Sequence, residues 1–164
     1  MRPADPFFYV PSVVAPTPWH LRGNGYVFLF RHSKSFLSES GFLNDYQRLH
    51  LKSGFGAVIL ADYQQSDVGP YRELMFIPGI FKISGHYTFS ISKTYVSTQD
   101  SRWNGVENWG IPKEVADFSI LTGEESEKDE TWVVSRNQKP IFSVDLHRHR
   151  FGFPVSSALL PFRI

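Results

Sequence analysis

The segment Asn108-Trp109-Gly110-Ile111-Pro112-Lys113 sets one lysine among apolar and small residues. Lysine is ordinarily a solvated surface residue. Here Trp109, Ile111 and Pro112 precede it, and Val115 and Ala116 follow shortly after. An apolar wall strips hydration from an ammonium group and favours its neutral form, and a neutral amine is a nucleophile toward carbonyls. The competing reading is a surface lysine on a strand edge, its stem lying on a tryptophan. Glu73 is the second candidate, followed by Leu74, Met75 and Phe76. Strand alternation puts it on the face of Met75 and opposite Leu74, so a purely solvent-facing side chain is disfavoured. Asp145, His147 and His149 also alternate, with ligand types suited to zinc or iron. Three polar residues on one strand usually mark the wet face of an antiparallel sheet, so no metal is expected. The chain has no phosphate loop, no GxSxG elbow and no dinucleotide-binding fingerprint.

The elements that must position these residues read as mostly strands. Aromatic residues reach 16%, which favours strands and an aromatic-lined cavity. Tyr26–Phe30 is an apolar run that predicts a buried strand. A short helix is expected over 33–40, ended by Gly41. Strands are expected over 56–63, 73–77 and 81–83, then a long alternating one over 86–97. Residues 98–105 fit one or two helical turns, and strand character returns over 114–121. Residues 131–135 and 140–144 flank Arg136-Asn137-Gln138-Lys139 in a hairpin pattern. The acidic run 123–130 reads as a solvated hairpin tip. Residues 1–18 hold five prolines and read as an extended arm whose aromatics Phe7, Phe8 and Tyr9 pack against its own domain or a neighbouring subunit.

Composition excludes several functions. The length of 164 residues suits one domain with a sizeable core. A net charge of +1 gives no electrostatic footprint for nucleic acid. Zero cysteines rule out a disulfide scaffold, a zinc–thiolate site and a cysteine nucleophile. The start lacks a signal-peptide pattern and no apolar stretch is long enough for a membrane helix, so a cytoplasmic protein without a membrane partner is expected.

Four segments, in order, resemble the acetoacetate decarboxylase family. Pro18-Trp19-x-Leu21-x-Gly23-x-Gly25-Tyr26 fits the entry into its first core strand. Val68-Gly69-Pro70-Tyr71-x-Glu73-Leu74-Met75-Phe76-Ile77-Pro78-Gly79 fits the segment carrying its active-site glutamate. Ser92-Lys93-x-Tyr95-Val96-Ser97-Thr98 fits the strand leading to the lysine, and Gly105-x-Glu107-x-Trp109-Gly110-Ile111-Pro112-Lys113 resembles the Schiff-base lysine motif. The resemblance runs from about Pro18 to Phe162 and implies a mainly β (α+β) fold: an antiparallel β-barrel or cone-like core with a few short helices over 19–164, preceded by the arm 1–18. It implies a small keto acid or related carbonyl substrate, a Schiff base on Lys113, Glu73 positioning or moving a proton, no cofactor, and a homo-oligomer. Tyr71, Phe76 and Trp109 become candidate pocket walls.

Two positions depart from the family. Glu114 stands where many relatives carry a second lysine, and Asn24 stands where the family has an arginine. A carboxylate clamp is then either absent or supplied by Arg22, Arg31, Arg72 or Arg102. Family members also continue past the segment resembling 153–162. A shortened relative, a wall from another subunit and an open barrel are each compatible with that, and residues 1–18 or 151–164 are expected at an interface. The alternatives to a decarboxylase-like lyase are a non-catalytic barrel binding a small molecule and a Schiff-base aldolase or dehydratase.

Overall fold

The structure is a computed structural model that describes residues 9–123 and 129–147. A five-stranded sheet forms its centre, in the order β1 (Arg22–Arg31), β3 (Phe55–Gln65), β4 (Tyr71–Ile77), β7 (Lys93–Val96), β8 (Lys113–Val115). All neighbours in it are antiparallel except β7 and β8, which run parallel. Parallel neighbours need a crossover, and helix α3 (Gln99–Trp109) supplies it. A second sheet consists of β9 (Asp117–Thr122), β10 (Asp129–Arg136) and β11 (Lys139–His147), with β10 in the middle. A third consists of β2 (Leu51–Ser53), β5 (Ile80–Ile83) and β6 (His86–Phe89). Two short helices, α1 (Lys34–Ser40) and α2 (Asp45–His50), precede β2. The architecture is mainly β, and among the described residues no sheet closes on itself.

Strand alternation gives the central sheet two different faces. Leu60, Leu74 and Tyr95 point to one side and pack against Trp132, Val134 and Phe118 of the second sheet. This is the main apolar core. Tyr71, Glu73, Ala61, Val96 and Lys113 share the other side by register. That side is covered by α3 and by residues 9–19.

Helix α3 is unusual in what it turns inward. Its buried residues are Ser101, Asn104 and Gly105, none of them a large apolar side chain. Thr98 caps its start, its hydroxyl accepting from the Ser101 amide at 3.3 Å. Gly110 ends it at φ 62°, a left-handed conformation that suits glycine, and its amide donates to the Val106 carbonyl at 2.9 Å. The chain then turns directly into β8.

Residues 9–19 are held to one stripe of α3 by hydrogen bonds. Asn104, fully buried, accepts from the Ala15 amide at 2.8 Å and donates to the Val13 carbonyl at 2.8 Å. Asn108 donates to the Ala15 carbonyl at 2.8 Å. Asp100 accepts from the Tyr9 hydroxyl and the Ser12 amide, each at 2.8 Å, and from the Ser12 hydroxyl. The Ser12 hydroxyl, aided by Tyr9, holds the Asp100 carboxyl below the usual aspartate range. Its folded value therefore lies below its unfolded value of 3.8, so its stabilisation is complete above 3.8 and is lost as pH falls through the folded value. Amide hydrogen exchange should show the Ser12 and Ala15 protons losing protection over that acid window. Asp100→Asn should abolish the pH dependence while retaining part of the bonding, and protection that is flat with pH in the parent chain would contradict the assignment.

Three sequence expectations change. Among the described residues Tyr26–Phe30 lies on the edge strand of the central sheet and is not a buried strand; Val27 and Leu29 are 58% and 66% exposed. The long strand over 86–97 is broken at residues 90–92, and its halves join different sheets. Helix α2, with its capping box between Asn44 and Gln47, had no apolar periodicity to reveal it. The hairpin over 129–147 turns at Asn137 and Gln138, both at positive φ. Segment 151–164 lies outside the described residues, as do His149 and the acidic residues 124–128.

Candidate active site

Lys113 opens β8 opposite Thr94 of β7. Its side chain is 3% exposed, and its Nζ lies 3.0 Å from Glu73 Oε1, whose side chain is 5% exposed. The two residues are 40 positions apart, so the sheet register alone brings them together. Nζ also donates to the Ser101 hydroxyl at 3.3 Å. The rings of Tyr71 and Trp19 approach it at 5.3 and 5.6 Å from their centroids, which is cation–π range. Trp19 in turn meets Trp109 edge-on at 4.6 Å and donates to the Ala15 carbonyl at 3.0 Å.

The lysine stem crosses the inner face of α3 at Gly105. A Cβ there would stand 2.6 Å from Cδ, 2.7 Å from Cε and 3.1 Å from Nζ of Lys113. Only a residue without a side chain leaves that passage open.

Burial pushes the Glu73 carboxyl above the ordinary glutamate range, opposed by the nearby Lys113 charge. A carboxylate with raised proton affinity is a better acceptor for a lysine proton than a solvated one. Burial, and next the Glu73 charge, also push the Tyr71 and Tyr63 hydroxyls upward, so both stay protonated. Tyr71 is hydrogen-bonded to Ser101, which ties its hydroxyl to the acceptor of the lysine.

The remaining sequence candidates are dispersed. Trp109 reaches the lysine only through Trp19. Phe76 lies on the opposite face of the sheet, within ring contact of His32, Phe36 and Phe42, and is not a wall of this site. Arg72 also points to that face, with Nε 3.3 Å from Asp62 and Nη1 3.4 Å from the Phe118 carbonyl. Arg31 ends β1 and Arg102 is exposed on α3. Arg22 lines a surface pocket that shares Trp19 with the lysine. Alternation explains the failures at Arg72 and Phe76, because each is an odd number of positions from Glu73. Asn24 pairs with Asp62 on the Arg72 side, so it does not face the lysine. Glu114 points away as well; it pairs with Lys93, and with Arg136 at 2.7 Å.

Sequence reasoning missed Ser101, Gly105 and Trp19 as neighbours of the amine. The i, i+4 spacing of Ser101 and Gly105 was the available signal, a small-residue stripe one turn apart on a helix beside the lysine. Asp145 accepts from Thr131 at 2.7 Å and His147 pairs with Asp129. Among the described residues no three His, Cys, Asp or Glu side chains converge on a metal position, and no helix is long and apolar enough to cross a membrane.

No protein-family model matches the sequence, and no curated protein matches it. Solved structures do. An acetoacetate decarboxylase from Legionella pneumophila superposes with a TM-score of 0.67 at 12% identity, over 92% of this chain and 58% of that one. A second acetoacetate decarboxylase gives 0.63 at 10% identity, over 80% and 52%. The enduracididine biosynthesis enzyme MppR, in complex with the condensation product of pyruvate and imidazole 4-carboxaldehyde, gives 0.61 at 15% identity, over 81% and 56%. The chain thus spans a little over half the length of these solved chains. At such identities the likeness speaks for the path of the backbone, and on that ground the chain has an acetoacetate decarboxylase-like fold.

Proposed function

We propose that this protein forms a Schiff base between Lys113 and a small keto acid or related carbonyl compound. The observation that carries the proposal is the enclosed Lys113–Glu73 pair, 3.0 Å apart. Glu73 takes a proton from the ammonium, and the freed amine adds to the substrate carbonyl. Loss of water from the resulting carbinolamine leaves an iminium, which draws in the electron pair of the bond to the departing carboxylate carbon. Carbon dioxide leaves, the enamine takes a proton at carbon, and water returns the ketone and the amine. In this reading Tyr71, kept protonated beside Ser101, donates to the carbinolamine oxygen. The same enamine serves an aldol or dehydration reaction, since fold does not fix the reaction.

A second reading draws on the enclosure itself. With its amine covered by Trp19 and Tyr71, Lys113 is also compatible with a structural ion pair in a non-catalytic binding protein. Borohydride treatment in the presence of pyruvate, acetoacetate and acetone, followed by mass spectrometry of the Lys113 peptide, separates the two. A reduced adduct on Lys113, absent in Lys113→Arg, is expected for at least one compound. Recovery of unmodified peptide with all three would remove the Schiff-base reading.

A further inference from the structure

A pocket of about 330 Å³ lies between helix α2, the break at residues 90–92 and the Gly110–Pro112 turn. Its walls are uncharged. Phe42, 54% exposed, supplies an aromatic face. Gln47 is 6% exposed and its amide is spent: Nε2 donates to the Ser90 hydroxyl and the Ile91 carbonyl, each at 3.0 Å, while Oε1 accepts from the Asn44 amide at 3.2 Å. Asn44 Oδ1 is likewise engaged, accepting from the Gln47 amide at 2.8 Å. These bonds fix the wall before any ligand arrives.

Ser92 breaks the pattern. It lines the same pocket, is 5% exposed, and its hydroxyl has no partner. Leaving a buried hydroxyl unpaired is costly, and native structures seldom do so without a reason. Two positions along β7, on the same side of the strand, Thr94 repeats the pattern: fully buried, with an unpaired hydroxyl. Thr94 is the register partner of Lys113, and its amide donates to the Pro112 carbonyl at 3.2 Å. Two unpaired hydroxyls therefore lead from the pocket toward the strand that carries the lysine.

We propose that this pocket binds the hydroxyl end of a small uncharged ligand, with Ser92 as its hydrogen-bond partner and Phe42 against its carbon chain. An anionic group is disfavoured because the lining offers no cation. Where that ligand is the carbonyl compound that condenses with Lys113, the assignment rests on the Schiff-base reading; the binding site itself does not.

The test is an amide chemical-shift titration of the full chain with two probes of similar size, 4-hydroxybutan-2-one and pentan-2-one. The hydroxylated probe should shift the Ser92 and Gly110 amides and bind at least fivefold tighter than pentan-2-one. Ser92→Ala should remove that preference. Equal affinities for the two probes in the parent chain, or shifts confined to other residues, would overturn the proposal without needing any variant. Borohydride trapping with the same probes reports on Lys113 separately. A missing adduct beside an intact titration sinks the Schiff base alone, and an adduct beside a flat Ser92 response sinks the subsite alone.

Discussion

Replacing Glu73 with glutamine should destabilise the fold by about 3–5 kcal/mol, because it strands a buried ammonium without its counter-charge. The remaining partners of Lys113 are weak substitutes: one hydroxyl at 3.3 Å and two ring faces beyond 5 Å. The double variant Lys113→Met with Glu73→Gln removes both charges at nearly conserved volume. It should lie within about 2 kcal/mol of the parent chain, since a well-packed neutral pair often matches a buried ion pair. Urea unfolding of the four chains closes the cycle. Single losses that simply add in the double variant would show that the two groups are not coupled.

Gly105→Ala carries the largest expected effect on chemistry. Alanine improves helix propensity by about 1 kcal/mol over glycine. At this position, however, its methyl would sit 2.6 Å from Lys113 Cδ, so the flexible lysine side chain must move. The amine leaves its place beside Glu73, and that loss offsets the gain in helix propensity. A displacement near 1 Å at a reacting group can cost about 100-fold in rate. The borohydride trapping rate at Lys113 should fall by about that factor, with a lowered urea midpoint. Unchanged trapping would mean that the amine finds its position by another path past α3.

Much of this arrangement was legible in the chain. Lys113 was marked by its apolar lead-in and Glu73 by the strand around it, and register brings them together. The helix before the lysine was readable from its polar run, although its length of three turns was not. What stayed hidden has physical causes. Helix α3 buries Ser101, Asn104 and Gly105, so the usual apolar stripe that marks an inward face is missing. Trp19 reaches the amine from a segment 94 positions away, which no local pattern encodes. Tyr26–Phe30 is apolar on both faces and reads as buried, yet the side chains of Val27 and Leu29 are exposed. Arg72 fits a clamp by type and proximity in sequence, and strand alternation alone turns it to the other side.

The position of β8 in the central sheet has a kinetic meaning. Among the described residues this strand, three residues long, lies at the sheet margin and pairs within that sheet with β7 alone, through residues 113–115. By contrast, β3 and β4 are paired on both edges. Marginal segments with few backbone bonds open at a lower free-energy cost than the interior of a sheet. Fluctuations that lift β8 from β7 carry Lys113 away from Glu73 as one piece. The amine is then exposed to solutes for the lifetime of each such opening. The reactivity of this lysine toward bulky reagents is set by a local opening equilibrium.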